Sequence, residues 1–171
     1  DVSLDFYPGE VHALMGENGA GKSTLIKILS GIYTPTEGQV VLDGVPITFK
    51  NPREALDQGI SVIHQELSIA NDLTVAENIF LGEEVTKGRG VFLNDVAMNQ
   101  SANELLRFMK VDASICATDV AGDLTAAQQQ MVEIAKVISK KAKVVIMDEP
   151  TSALSDHEIG ALFEQVRILK E

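Results

Sequence analysis

Apolar residues recur along this chain in two rhythms, one helical and one extended. Leu25, Ile26, Ile28 and Leu29 share one face of a predicted helix over 21–30, and Gly31 stops it. The helical spacing returns over 75–81, over 95–109 with Leu105, Leu106 and Met109 on one side, and over 126–140 with Met131, Ile134, Ala135 and Ile138. A last helix over 156–170 carries Ile159, Leu162, Phe163, Val166 and Leu169 as its expected core face. Short runs over 2–6, 11–15, 39–42, 45–49 and 60–64 predict strands. Between the third and fourth runs stands Asp43-Gly44, a hairpin signal because both residues tolerate positive φ. Asn51 as cap, Pro52 in the first turn and Gly59 after the last bracket a short helix. Val144 to Met147 is apolar throughout, the pattern of a strand covered on both faces.

From 66 to about 120 the strand signals thin, which suggests a helical insertion in an α/β fold rather than an independent domain. The expected division is 1–65 with 140–171 as a phosphate-loop core that includes a small antiparallel β part, and 66–139 as a helical subdomain. The glycine-containing loop 82–90 is expected to be exposed and mobile.

Composition narrows the classes. With 171 residues, 45% of them hydrophobic, the chain can bury a real core. Its net charge of −11 repels nucleic acid and an anionic membrane surface. The basic group Lys140, Lys141 and Lys143 falls at a helix end, where it complements the dipole. A lone Cys116 allows no internal disulfide, and no apolar run approaches a membrane span. The chain opens at Asp1 in a strand-like pattern, and the expectation is a piece of something longer, truncated at its C-terminus.

The candidate chemistry starts at Gly16-Glu17-Asn18-Gly19-Ala20-Gly21-Lys22-Ser23-Thr24, which follows a predicted strand and opens a predicted helix. Gly16, Gly21, Lys22 and Ser23 meet the G-x-x-x-x-G-K-[ST] pattern. Glycines let the backbone curl so that successive amides point inward at a polyphosphate, with the helix dipole behind them. Lys22 would reach the β- and γ-phosphates, and the Ser23 hydroxyl would join a Mg²⁺ shell. Thr125 and Gln128 have capping-box spacing before the fourth long helical pattern, a second helix start open to a phosphate. Asp148 and Glu149 close the apolar run at 144–147. Downstream of a phosphate loop such a pair can divide labour, Asp148 holding Mg²⁺ and Glu149 activating water; without the loop it would be only a solvated strand end. His12 is expected as a packed or edge imidazole, and His157 as an exposed one.

Taken together, the loop Gly16 to Ser23, Gln65, the run Leu124-Thr125-Ala126-Ala127-Gln128, the strand 144–149 and the turn Ser152-Ala153-Leu154-Ser155 resemble an ATP-binding-cassette ATPase. They match its Walker A, Q-loop, signature, Walker B and D-loop in order. The wording at Ala13 to Asn18 and at Gln129 to Lys136 is similar to the first cassette of bacterial monosaccharide importers of the ribose, galactose and xylose type. The resemblance implies an ATP- and Mg²⁺-dependent hydrolase at the cytoplasmic face of the inner membrane. Its implied partners are a second nucleotide-binding cassette paired head to tail, a membrane-spanning permease subunit and, indirectly, a periplasmic solute-binding protein. It gives Glu149, Gln65 and Lys22 to catalysis, Ser23, Gln65 and Asp148 to the metal, and Thr125, Ala126, Ala127 and Gln128 to the partner's nucleotide.

Three departures from the family pattern stand out. Thr125-Ala126-Ala127 replaces the usual Ser-Gly-Gly, and its two methyl groups are expected to weaken the composite site opposite. The aromatic residue that stacks on adenine in relatives is expected upstream of Asp1, and Tyr7 and Phe6, on the predicted strand itself, are poor substitutes. The switch histidine and its strand are expected beyond Glu171. In relatives that strand lies between the Walker A and Walker B strands, so a gap in the sheet centre is expected. A phosphate-loop GTPase would need an Asn-Lys-x-Asp guanine reader, which the chain lacks. A small-molecule kinase would not carry Gln65 and 124–128. A soluble cassette ATPase of DNA repair or translation, and a non-hydrolytic nucleotide-binding module, remain as alternatives.

Overall fold

The computed structural model describes residues 2–64, 67–87, 92–111, 114–149 and 156–170, with the side chains of 156–158 and 161 outside that description. Helix starts follow the cap chemistry of the sequence. In α1 (Lys22–Leu29) Gly21 takes the cap position in the left-handed region. Asn51 caps α2 (Pro52–Asp57), its Oδ1 accepting from the Glu54 amide at 3.0 Å. Helix α3 (Val75–Ile79) starts from a full capping box: Glu77 N–H donates to Thr74 Oγ1 at 3.2 Å, and Thr74 N–H to Glu77 Oε2 at 2.7 Å. Asn94 caps α4 (Asp95–Phe108) and Thr125 caps α5 (Ala126–Ser139); α6 spans Asp156–Lys170.

The described strands pair two by two. β1 (Val40–Leu42) and β2 (Val45–Ile47) form the predicted hairpin about Asp43-Gly44, with φ of 51° and 78° at the turn. β3 (Ile60–Ile63) and β6 (Val144–Met147) run parallel in the register Ile60↔Val144 to Ile63↔Met147. β4 (Thr86–Lys87), within the expected loop 82–90, makes a small antiparallel pair with β5 (Phe92–Leu93) just beyond it.

Two expected strands do not form. Residues 2–6 and 11–15 belong to no ladder among the described residues, and Val11, Leu14 and Met15 stand 64%, 44% and 89% exposed. A strand is a property of a pair, and the alternating pattern supplies only one side of it. β6 differs in the same sense: all four residues are half-buried rather than covered on both faces.

The main core lies among α3, α4, α5 and the β3–β6 pair, with Ile63, Val75, Ile79, Met109, Val132 and Ile134 each at most 2% exposed. On α6 the buried face holds Leu162 and Gln165, while Phe163 is 57% exposed, so the helix is rotated from the expected face. Gln165 earns its place by donating from Nε2 to the Met109 carbonyl.

Candidate active site

The phosphate-loop sequence folds into a small bowl. Gly19 and Gly21 adopt φ of 86° and 94°, where a side chain would be strained, and the space at each is open. The Ala20 amide donates to the Glu17 carbonyl at 3.1 Å, closing a turn. Lys22 curls back over the bowl: its Nζ donates to Gly16 O at 2.6 Å and to Glu17 O at 3.1 Å. Among the described residues no carbonyl or side chain accepts from the amides of Lys22, Ser23 and Thr24, the first turn of α1, and no side chain caps the helix. Unpaired helix-start amides, a positive dipole end and an ammonium in one bowl suit a polyphosphate. Ser23 and Thr24 are exposed beside it.

The carboxylate pair sits at the carboxyl ends of β3 and β6. The Asp148 amide donates to Ile63 O at 3.0 Å, extending the ladder by one bond. Asp148 is half-buried; Glu149 is exposed and has φ 48°, a left-handed conformation that a side-chain-bearing residue seldom adopts. The chain thus turns sharply where its second carboxylate begins. No described hydrogen bond joins this pair to the phosphate loop. Gln65, and the turn at Ser152 to Ser155, lie outside the described residues.

At the start of α5 the expected capping box is present: Gln128 N–H donates to Thr125 Oγ1 at 3.3 Å, and Thr125 N–H to Gln128 Oε1 at 2.9 Å. Gln128 Nε2 also donates to Ser114 Oγ at 3.2 Å. Thr125 and Ala126 are exposed and Ala127 half-buried, so the helix start faces outward. His12 is an edge imidazole, 2.9 Å from Glu10 and edge-on to the Phe6 ring at 5.1 Å.

Among the buried polar residues that sequence reasoning missed are Asn78 (0% exposed) and Glu133 (6%). Asn78 Oδ1 accepts from the Ala70 amide at 2.8 Å, and its Nδ2 donates to the Ala70 and Thr74 carbonyls, each at 3.0 Å. Glu133 Oε1 accepts from the Ser68 amide at 2.6 Å. Burial raises the Glu133 carboxyl above its usual pKa, against the lowering effects of the Ser68 amide, Lys136 and His64. The available signal was a carboxylate inside the apolar run Met131 to Ala135.

The family model for ABC transporters matches residues 1–152. The chain belongs to the ABC transporter family. This cassette is 51% identical over 170 residues to the ribose import ATP-binding protein RbsA of Geobacillus kaustophilus, covering 99% of this chain and 34% of that protein. It is 49% identical over 169 residues to a putative ribose/galactose/methyl galactoside import ATP-binding protein of Albidiferax ferrireducens, covering 99% of this chain and 33% of that one. The chain spans about a third of the length of these curated relatives. Among solved structures it is similar to an ATP-binding cassette of an ABC transporter, with TM-score 0.82 and 30% identity over 99% of this chain and 69% of the other. A dimeric cassette bound to ADP and Pi matches with TM-score 0.78 and 25% identity, covering 98% of this chain and 72% of that one. The fold is therefore that of the phosphate-loop ATPases.

Proposed function

We propose that this cassette binds and hydrolyses ATP to power the import of a small solute, a monosaccharide, across the bacterial inner membrane. The observation that carries the reading is the loop at Gly16 to Thr24, where Lys22 Nζ bonds back to the Gly16 carbonyl and the amides opening α1 have no acceptor among the described residues. Identities of 49% and 51% to proteins named for ribose and galactose import support the sugar class. No helix among the described residues is long and apolar enough to cross a membrane. In this reading a membrane-spanning permease subunit partners the cassette at the membrane's cytoplasmic face.

In this reading the loop amides and Lys22 hold the triphosphate tail and neutralise charge that builds on it during transfer. The Ser23 hydroxyl and the Asp148 carboxylate would hold Mg²⁺, which when bound polarises the phosphoryl oxygens. Glu149 accepts the proton of the attacking water, and its left-handed backbone sets the direction of that carboxylate. Gln65 senses the nucleotide and hands its state to a helical subdomain over 66–139. Thr125, Ala126 and Ala127 face the nucleotide of a second cassette paired head to tail, and a periplasmic solute-binding protein delivers the cargo to the permease. The 171-residue chain alone hydrolyses feebly or not at all, because the run 11–15 that enters its phosphate loop belongs to no ladder among the described residues.

The test is phosphate release by the full-length protein assembled with its permease. Turnover by the wild type, with ATP retained unhydrolysed by Glu149→Gln, supports the proposal. Equal turnover in both, or none in either, contradicts it.

A further inference from the structure

We infer that Glu133 is a positioning residue for hydrolysis, a strut that ties the signature helix α5 to the backbone leaving β3; the inference rests on the functional reading above. Glu133 lies on the buried face of α5 between Val132 and Ile134, both 0% exposed. Its Oε1 accepts from the Ser68 amide at 2.6 Å, whereas its Oε2 is buried with no partner among the described residues. A half-satisfied carboxylate in an apolar helix face is a poor way to fill space, since a buried charge is costly unless well paired. The described gain from a carboxylate here is its grip on Ser68.

What it grips matters. Ser68 lies a few residues beyond Ile63, at the end of the strand that pairs with β6, and three beyond Gln65. The next turn of chain is held from another helix, because Asn78 on α3 bonds both the amide and the carbonyl of Ala70. Along α5, Glu133 stands about 12 Å from the Thr125 cap, two rigid turns away. Rotation of α5, which presents Thr125 outward, is therefore mechanically linked to the backbone that follows Gln65. Cutting the strut leaves the phosphate loop untouched and frees the backbone at Ser68 from α5.

The experiment compares full-length wild type, Glu133→Leu, Glu133→Met and Glu133→Gln, assembled with the permease. The two apolar variants fill the same space without an acceptor, and the amide variant keeps one. In Leu and Met, kcat falls about tenfold while KM for ATP stays within about twofold, the loss of a charge-assisted bond appearing in the chemical step alone. Gln retains most of kcat. Ser68 amide exchange speeds up about tenfold in Leu and Met and stays slow in Gln. Wild-type turnover in both apolar variants, or a Gln variant as impaired as Leu, overturns the inference. Failure of the ATPase reading shows separately, as absence of wild-type turnover; unchanged Ser68 exchange in the apolar variants would then refute the strut directly.

Discussion

Asp148 donates its backbone N–H to the carbonyl of Ile63 at 3.0 Å, so the β3–β6 ladder continues into the first carboxylate of the acidic pair. The next residue, Glu149, leaves that ladder at once with φ 48°. Asp148 is thus anchored to the sheet through its backbone and Glu149 takes a left-handed backbone beside it, a basis for the separate roles proposed for the two.

The left-handed conformation of Glu149 predicts a trade of stability against activity. It costs a residue with a side chain roughly 1–2 kcal/mol, and glycine avoids the cost. Glu149→Gly should raise unfolding stability by about 1 kcal/mol in urea denaturation while abolishing ATP turnover. A destabilised variant would show that the residue is unstrained there.

Thr125 serves α5 as cap whatever its part in nucleotide contact. Thr125→Ala should cost about 1 kcal/mol and lower the thermal midpoint, and Thr125→Ser should restore it, since either hydroxyl can accept from the Gln128 amide. Identical melting of the Ala variant would refute the capping role.

The buried Asn78 predicts a larger loss. Asn78→Leu would strand the Ala70 amide and carbonyl away from water, at a cost of about 2–4 kcal/mol. Chemical denaturation reads the value directly; a change within experimental error would mean that water reaches Ala70.

Glu133 gives a pH dependence with a definite sign. Its carboxyl is raised above the usual value by burial, against the opposing influence of the Ser68 amide, Lys136 and His64. In the window between the unfolded and the raised folded value, the folded state holds the proton longer, so stability falls as pH rises through it. The neutral Glu133→Gln variant lacks this dependence. Its stability relative to wild type should grow through that window and level off above it, as followed by thermal melts across pH; a constant difference would contradict the burial of the charge.

Helix starts were legible because each carries its own local chemistry. Thr125 with Gln128, Asn51 with Pro52 and Gly21 before Lys22 specify caps from neighbouring residues alone. The loop at Gly16 to Thr24 was legible for the same reason. The extended run at 11–15 was misread because pairing depends on a distant partner, not on alternation. Helix periodicity placed Phe163 inside and overlooked Gln165, whose bond to the Met109 carbonyl fixes the rotation of α6 across a long sequence separation. Glu133 was missed likewise, its partner Ser68 lying 65 residues away.

Titration calorimetry with Mg²⁺-ATP on the full-length protein and its Lys22→Ala variant tests the nucleotide-binding claim most directly. Saturable heat in the wild type, with affinity weakened roughly tenfold to a hundredfold in the variant, is the predicted result. No heat from the properly folded wild type, or equal affinity in the two proteins, would contradict it.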